Sequence, residues 1–142
     1  MRKIDLANVE VIRRLVYPEP FYRETEGYEG QRVGNAVCRR LDVGVAGLWR
    51  LTSRLGEIKS HPIVIAVAGM DAALVSVLGG LIPGIMIGVP TSTGYGAARN
   101  GETALGASLS SCAPGVTICN IDNGYGAAMA AIRMLRGMET NN

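Results

Sequence analysis

A chain of 142 residues, 48% of them hydrophobic, is long enough for one domain with a core and too short for two full ones. Its 14 basic and 12 acidic residues leave a net charge of +2, spread without the basic and aromatic clustering of a nucleic-acid surface, so no nucleic-acid partner is expected. Three cysteines, Cys38, Cys112 and Cys119, form no C-x-x-C pattern, and the single His61 completes no zinc set; this usage fits a reduced, cytoplasmic protein.

Met1-Arg2-Lys3-Ile4-Asp5 lacks the apolar core of a signal peptide, and no export is expected. Residues 1–33 carry the breakers Tyr17-Pro18-Glu19-Pro20 and Gly27-Tyr28-Glu29-Gly30 with no strand between them, which predicts an irregular segment ahead of an α/β domain at 34–142. Residues 9–16 suit a helix face or an edge strand equally. Residues 36–43 form a weak strand candidate, interrupted by Arg39-Arg40. That pair, Arg13-Arg14, and Arg50 with Arg54 read as solvated faces or subunit contacts.

From residue 46 the pattern is regular. Leu48, Leu51, Leu55 and Ile58 share one face and predict an amphipathic helix over 46–58. The apolar run at 62–67 predicts a strand covered on both faces, and 71–78 a helix with Asp71 near its start. Then follow a strand at 85–89, a helix at 101–111, a strand at 116–121 and a helix at 125–136. This alternation predicts an α/β domain whose sheet is parallel and wound right-handed. The uncharged stretch 72–98 could cross a bilayer by length, but Gly79-Gly80 and Pro83-Gly84 divide it into pieces of helix and strand size, so no membrane partner is expected.

The most specific feature is a repeat: Gly94-Tyr95-Gly96-Ala97-Ala98 returns 30 residues later as Gly124-Tyr125-Gly126-Ala127-Ala128. That spacing is about one βα unit, so both loops should leave strand carboxyl ends and lie side by side, where open α/β sheets bind ligands. The first loop, with Thr91, Ser92, Gly94, Tyr95 and Gly96, offers hydroxyls and unobstructed backbone N–H groups and suits phosphate or carboxylate. The second, with Asn120, Asp122, Asn123 and Gly124, offers amides and a carboxylate that could bind a ribose or orient a neighbouring group. Two unlike loops suit a nucleotide. A bland alternative remains, in which the glycines only make tight turns and admit helices to the sheet.

Cys112 lies in Ser110-Ser111-Cys112-Ala113-Pro114-Gly115, a turn at a helix end, where a partly exposed thiolate could act as a nucleophile or the thiol could simply be inert. Cys119, inside a strand, and Cys38 read as buried thiols. Asp71 is expected at a strand's carboxyl end, either as a carboxylate complementing the helix dipole or as a general base on the same sheet edge as Cys112. Asp42 has the same two readings, and His61 reads as a solvent-facing strand start.

Taken together, Asp42-Val43-Gly44-Val45-Ala46-Gly47, Ala68-Gly69-Met70-Asp71, the segment from Val89 to Gly96, Ser111-Cys112-Ala113-Pro114-Gly115 and Asn120-Ile121-Asp122-Asn123-Gly124-Tyr125-Gly126 resemble the LarB family. The resemblance runs over residues 34–138, roughly three quarters of the chain. It implies a domain similar to the PurE-type aminoimidazole ribonucleotide carboxylases, a flavodoxin-like three-layer α/β fold assembling into octamers. It also implies an activity: carboxylation of the pyridinium ring of nicotinic acid adenine dinucleotide, with release of AMP, towards a nickel-pincer nucleotide cofactor. Carbon dioxide or bicarbonate is then the co-substrate, and whether Mg2+ assists is left open. By resemblance Cys112 is the nucleophile, Asp71 the base, and the glycine loops hold phosphate and ribose.

The chain departs from the family in three places. Asp71 stands where the family has Glu, which shortens the reach by one methylene, and Trp49 stands where a His is usual. The family's first strand and its Gly-Thr-Ser-Asp loop should precede Asp42 by some twenty residues, and residues 17–26 contain nothing like them. The expectation is therefore a member shortened or diverged at its amino end. Two alternatives stay open: a PurE-type carboxylase or mutase, which uses a histidine in a Ser-Ala-His-Arg context, and an inactive oligomeric nucleotide-binding module.

Overall fold

A computed structural model describes residues 44–139 of the chain. The readings placed on residues 1–33, on 36–43, and on Arg13-Arg14, Cys38, Arg39-Arg40 and Asp42 lie outside the described residues. After a short 3-10 turn at Val45–Gly47 come α1 (Leu48–Thr52), α2 (Leu55–Lys59), β1 (Ile63–Ala68), α3 (Ala73–Leu81) and β2 (Ile85–Pro90). A second 3-10 stretch, Gly96–Gly101, leads into α4 (Glu102–Leu109), and β3 (Val116–Ile118) and α5 (Gly124–Glu139) complete the order.

The strands are apolar because they are covered on both faces. Ile63, Ile65, Ile87 and Val89 pack with Ala127, Ala131 and Leu135 of α5 on one side of the sheet. Ala66 and Met86 pack on the other with Leu51, Val75, Leu78 and Ala104 of α1, α3 and α4. Period-2 alternation along each strand thus feeds two separate cores. The result is a three-layer α/β domain, flavodoxin-like, with a parallel three-stranded sheet in the order β1-β2-β3. Ile63 pairs with Ile85 and Met86 with Val116, so β2 is the centre and both its neighbours run alongside it.

The expected helix over 46–58 is instead two short ones. Thr52 and Ser53 turn their hydroxyls back onto the carbonyls of Trp49 and Arg50, at 3.1 and 2.9 Å, competing with the next turn. Leu51 is fully buried, whereas Leu48, assigned to the same face, is exposed. The helix expected from Asp71 starts at Ala73, because Met70 and Ala72 take left-handed backbone conformations with φ of 61° and 52°. It runs through Gly79-Gly80 to Leu81 and stops two residues short of Pro83, where the chain must extend. Strand β3 ends at Ile118 rather than 121, although Cys119 still donates its N–H to Gly88 O at 2.9 Å. The uncharged run 72–98 is divided among α3, β2 and a loop, and among the described residues no helix is long and apolar enough to cross a membrane.

Ile87, fully buried at the centre of β2, tests this arrangement. Ile87→Ala should lower the unfolding free energy by about 2–5 kcal/mol, read as a lower urea midpoint at unchanged slope.

Candidate functional site

Three loops leave the carboxyl ends of three adjacent parallel strands: 69–72 after β1, 91–95 after β2 and 119–123 after β3. The two copies of the repeat therefore sit on neighbouring strands, as their spacing predicts. Hydrogen bonds tie the loops together. Met70 N–H donates to Thr93 O at 2.9 Å, and Thr91 N–H to Ala68 O at 2.9 Å. Across the other seam, Asp122 N–H donates to Pro90 O at 2.9 Å, while Asp122 Oδ1 accepts from Ser92 N–H at 2.9 Å.

Two glycines make that closeness possible. A Cβ on Gly69 would lie 2.5 Å from both Thr91 Oγ1 and Thr93 O. A Cβ on Gly101, where φ is +94°, would stand 2.9 Å from Thr91 O and 2.8 Å from Ile121 Cγ2. Thr91 is consequently 4% exposed, and among the described residues its hydroxyl has no hydrogen-bond partner.

The remaining residues of the two loops divide by use. Ser92, Gly94, Tyr95 and Gly96 are exposed, Tyr95 at 82% and its repeat partner Tyr125 at 72%. Asn120 Oδ1 accepts from Ile121 N–H at 2.8 Å, and Asn123 Oδ1 caps α5 by accepting from Gly126 N–H at 2.8 Å. Both asparagines are exposed and hold Oδ1 against backbone N–H groups, while Gly124 is buried as the first residue of α5. Arg99 was not singled out from the sequence. It takes φ 48° in the 3-10 stretch after the first repeat copy and adds an exposed cation to this edge. The Arg99-Asn100-Gly101 triplet, directly behind the repeat, is the signal that could have found it.

Asp71 stands at the same edge, exposed, between the left-handed Met70 and Ala72, with Oδ1 accepting from Ala73 N–H at 3.2 Å. The carboxylate thus supports the turn into α3 through Oδ1 while the residue stays exposed. Cys112 is exposed, as its turn predicts, but the expectation of a shared edge is not met. It lies on the connection from α4 into β3, whereas Asp71 lies on the connection out of β1. Ser111 Oγ meets Ser76 Oγ of α3 at 2.8 Å, and a Cβ on Gly79, one turn later, would stand 2.8 Å from Ala113 Cβ. Cys112 between them is carried down the flank of α3, away from Asp71. Among the described residues no hydrogen bond joins the two, and no group of three His, Cys, Asp or Glu side chains could hold a metal.

Cys119 is partly buried, and that burial raises its thiol pKa. His61 is half-buried at the entry of β1, with Nδ1 2.8 Å from Glu57 O, rather than facing solvent freely.

The chain matches no known family model. It is 45% identical over 101 residues to "Uncharacterized protein MJ0165" of Methanocaldococcus jannaschii, a stretch covering 70% of this chain and 38% of that relative. The chain thus spans well under half the length of the curated relative it matches.

Two outcomes follow from the site geometry. Because a raised pKa leaves less thiolate at a given pH, iodoacetamide near pH 8 should alkylate Cys112 well before Cys119, with Cys119 catching up only as pH rises; peptide mass mapping reads the order. Gly69→Ala, whose Cβ meets backbone at Thr93, should cost about 1–3 kcal/mol in a denaturant titration.

Proposed function

We propose that this chain is a LarB-like domain that carboxylates the pyridinium ring of nicotinic acid adenine dinucleotide through a cysteine adduct, with release of AMP. The observation that carries the reading is the pair of repeat loops on neighbouring strands, pinned together and presenting hydroxyls, amide donors and the Arg99 cation to one edge. That surface suits the phosphates and riboses of a dinucleotide. The exposed thiol of Cys112 and the exposed carboxylate of Asp71 supply the two reactive groups the chemistry needs.

In this reading the Cys112 thiolate bonds to the ring carbon para to nitrogen, and the ring's positive charge is neutralised as a dihydropyridine forms. The adjacent meta carbon, now the terminus of an enamine, attacks carbon dioxide and forms a carbon–carbon bond. The Asp71 carboxylate then takes the hydrogen of that carbon as a proton. Expulsion of the thiolate returns the electron pair to sulfur and restores the aromatic pyridinium, and water cleaves the phosphoanhydride to free AMP. Adduct formation and proton removal each divide a difficult carboxylation into easier steps.

Because Cys112 and Asp71 belong to opposite connections of the sheet, the reading pairs the thiol of one copy with the base of another. A homo-oligomer is therefore part of the proposal, with an octamer implied by the resemblance. A reduced, cytoplasmic setting agrees with a mechanism that needs a free thiol. His61, held by Glu57 O at the entry of β1, the end of that strand opposite the loops, speaks against a PurE-type histidine mechanism.

The test is intact-protein mass spectrometry after incubation with nicotinic acid adenine dinucleotide and bicarbonate, with AMP measured alongside. An adduct on Cys112 and AMP release, both lost in Cys112→Ala, are expected. Mixing Cys112→Ala with Asp71→Asn under conditions of subunit exchange should restore AMP release, because one hybrid site then holds both intact groups. Neither adduct nor AMP from folded protein would leave an inactive oligomeric nucleotide-binding module as the better description.

A further inference from the structure

The sequence suggests a substrate contact for Asp122, but its N–H, its carbonyl and one carboxylate oxygen are engaged within the sheet edge. Its N–H donates to Pro90 O at 2.9 Å, its carbonyl accepts from Gly124 N–H at 3.0 Å, and its Oδ1 accepts from Ser92 N–H at 2.9 Å. Residues 92 and 122 are separated by 30 positions, the same offset as the two Gly-Tyr-Gly-Ala-Ala copies, so equivalent positions of the repeat are bonded to each other.

The direction of the bonds explains why a side chain is used. Along the extension of β2, Thr91 N–H points to Ala68 on the β1 side, and the Ser92 N–H points to the β3 side. A backbone carbonyl of β3 would ordinarily accept it, but that strand has ended at Ile118 and turned at Asp122, where φ is 57°. The carboxylate takes the carbonyl's place and adds one rung to the ladder. Thr93 O then accepts from Met70 N–H, returning the tie to the β1 side. A left-handed Asp is tolerated there because a short polar side chain suits that region better than a branched one.

We infer that Asp122 is a positioning residue: its carboxylate sets the conformation of the Thr91–Gly96 loop through the Ser92 amide, and it does not act by contact with the ligand's ribose. The inference deepens the proposed function and rests on it only for the identity of the ligand. Asn keeps an Oδ1 acceptor and accepts the left-handed region, whereas Ala keeps neither the acceptor nor the tolerance.

Amide hydrogen exchange of wild-type protein, resolved at Ser92 by nuclear magnetic resonance, is the first arm and needs no ligand. Ser92 should be protected despite its exposure, at least ten-fold slower than an unstructured chain predicts. In Asp122→Ala that protection should vanish while the β2 amides stay protected, and in Asp122→Asn it should persist. The second arm is binding of nicotinic acid adenine dinucleotide by calorimetry. Asp122→Ala should weaken affinity about ten-fold or more, in keeping with loss of a charge-assisted hydrogen bond, and Asp122→Asn should recover most of it. An unprotected Ser92 amide in the wild type would overturn the inference, whatever the variants do. Loss of affinity in Asp122→Asn equal to that in Asp122→Ala, with Ser92 still protected, would also overturn it and assign the charge to the ligand. If wild-type protein binds no dinucleotide, the proposed function fails, while the exchange arm still decides the role of Asp122.

Discussion

The candidate site depends on three loops being tied to one another rather than each being shaped by its own turn. Hydrogen bonds step across the edge from Met70 to Thr93, from Ser92 to Asp122 and from Asp122 back to Pro90. Each tie requires the adjoining strands to keep their register, which the two apolar layers around β2 impose. A one-residue slip of β3 would exchange which of its side chains face α5 and would carry the Asp122 carboxylate away from Ser92. Core packing and site geometry are therefore coupled through register.

The edge stores conformational cost. Met70, Ala72, Arg99, Asn100 and Asp122 all take positive φ without being glycine, and all five lie on connections leaving strands or opening α4. Such residues cost of order 1–3 kcal/mol each where a Cβ is present, less for Asn and Asp, and they persist only where the surroundings over-determine them. Ala72 shows how: its side chain is buried against the core of α3, and its N–H donates to Gly69 O at 2.9 Å. Among the described residues the non-glycine positive φ angles concentrate on one edge, the pattern expected where loops are held ready for a ligand.

Much of the fold was legible because it rests on local signals. The apolar run at 62–67 reads as a strand covered on both faces and 85–89 as the next strand by composition alone, and the alternation with helices predicts a parallel sheet. The repeat located the neighbouring loops because equal βα units place equal residues at equal heights. Other features depend on contacts that no short window contains. Thr52 and Ser53 end α1 at Thr52, their hydroxyls turned back onto the carbonyls of Trp49 and Arg50, though the apolar spacing continues through Leu55 and Ile58. The burial of Thr91 arises because Gly69 and Gly101, distant in sequence, let the chain close over its side chain and its carbonyl respectively.

The separation of Cys112 from Asp71 has a topological origin. In a parallel sheet every connection out of a strand lies at one edge and every connection into the next strand lies at the other. Asp71, Ser92 and Asp122 each follow a strand and share an edge, while Cys112 precedes β3 and does not. Proximity along the chain concealed this, since Cys112 lies in sequence between the two repeat loops. The hydrogen bond between Ser111 and Ser76 further fixes the cysteine turn against α3, so a local rearrangement that carried the thiol to Asp71 would have to break it. Chemistry needing both groups on one small ring is thus more cheaply met by bringing two copies together than by refolding one.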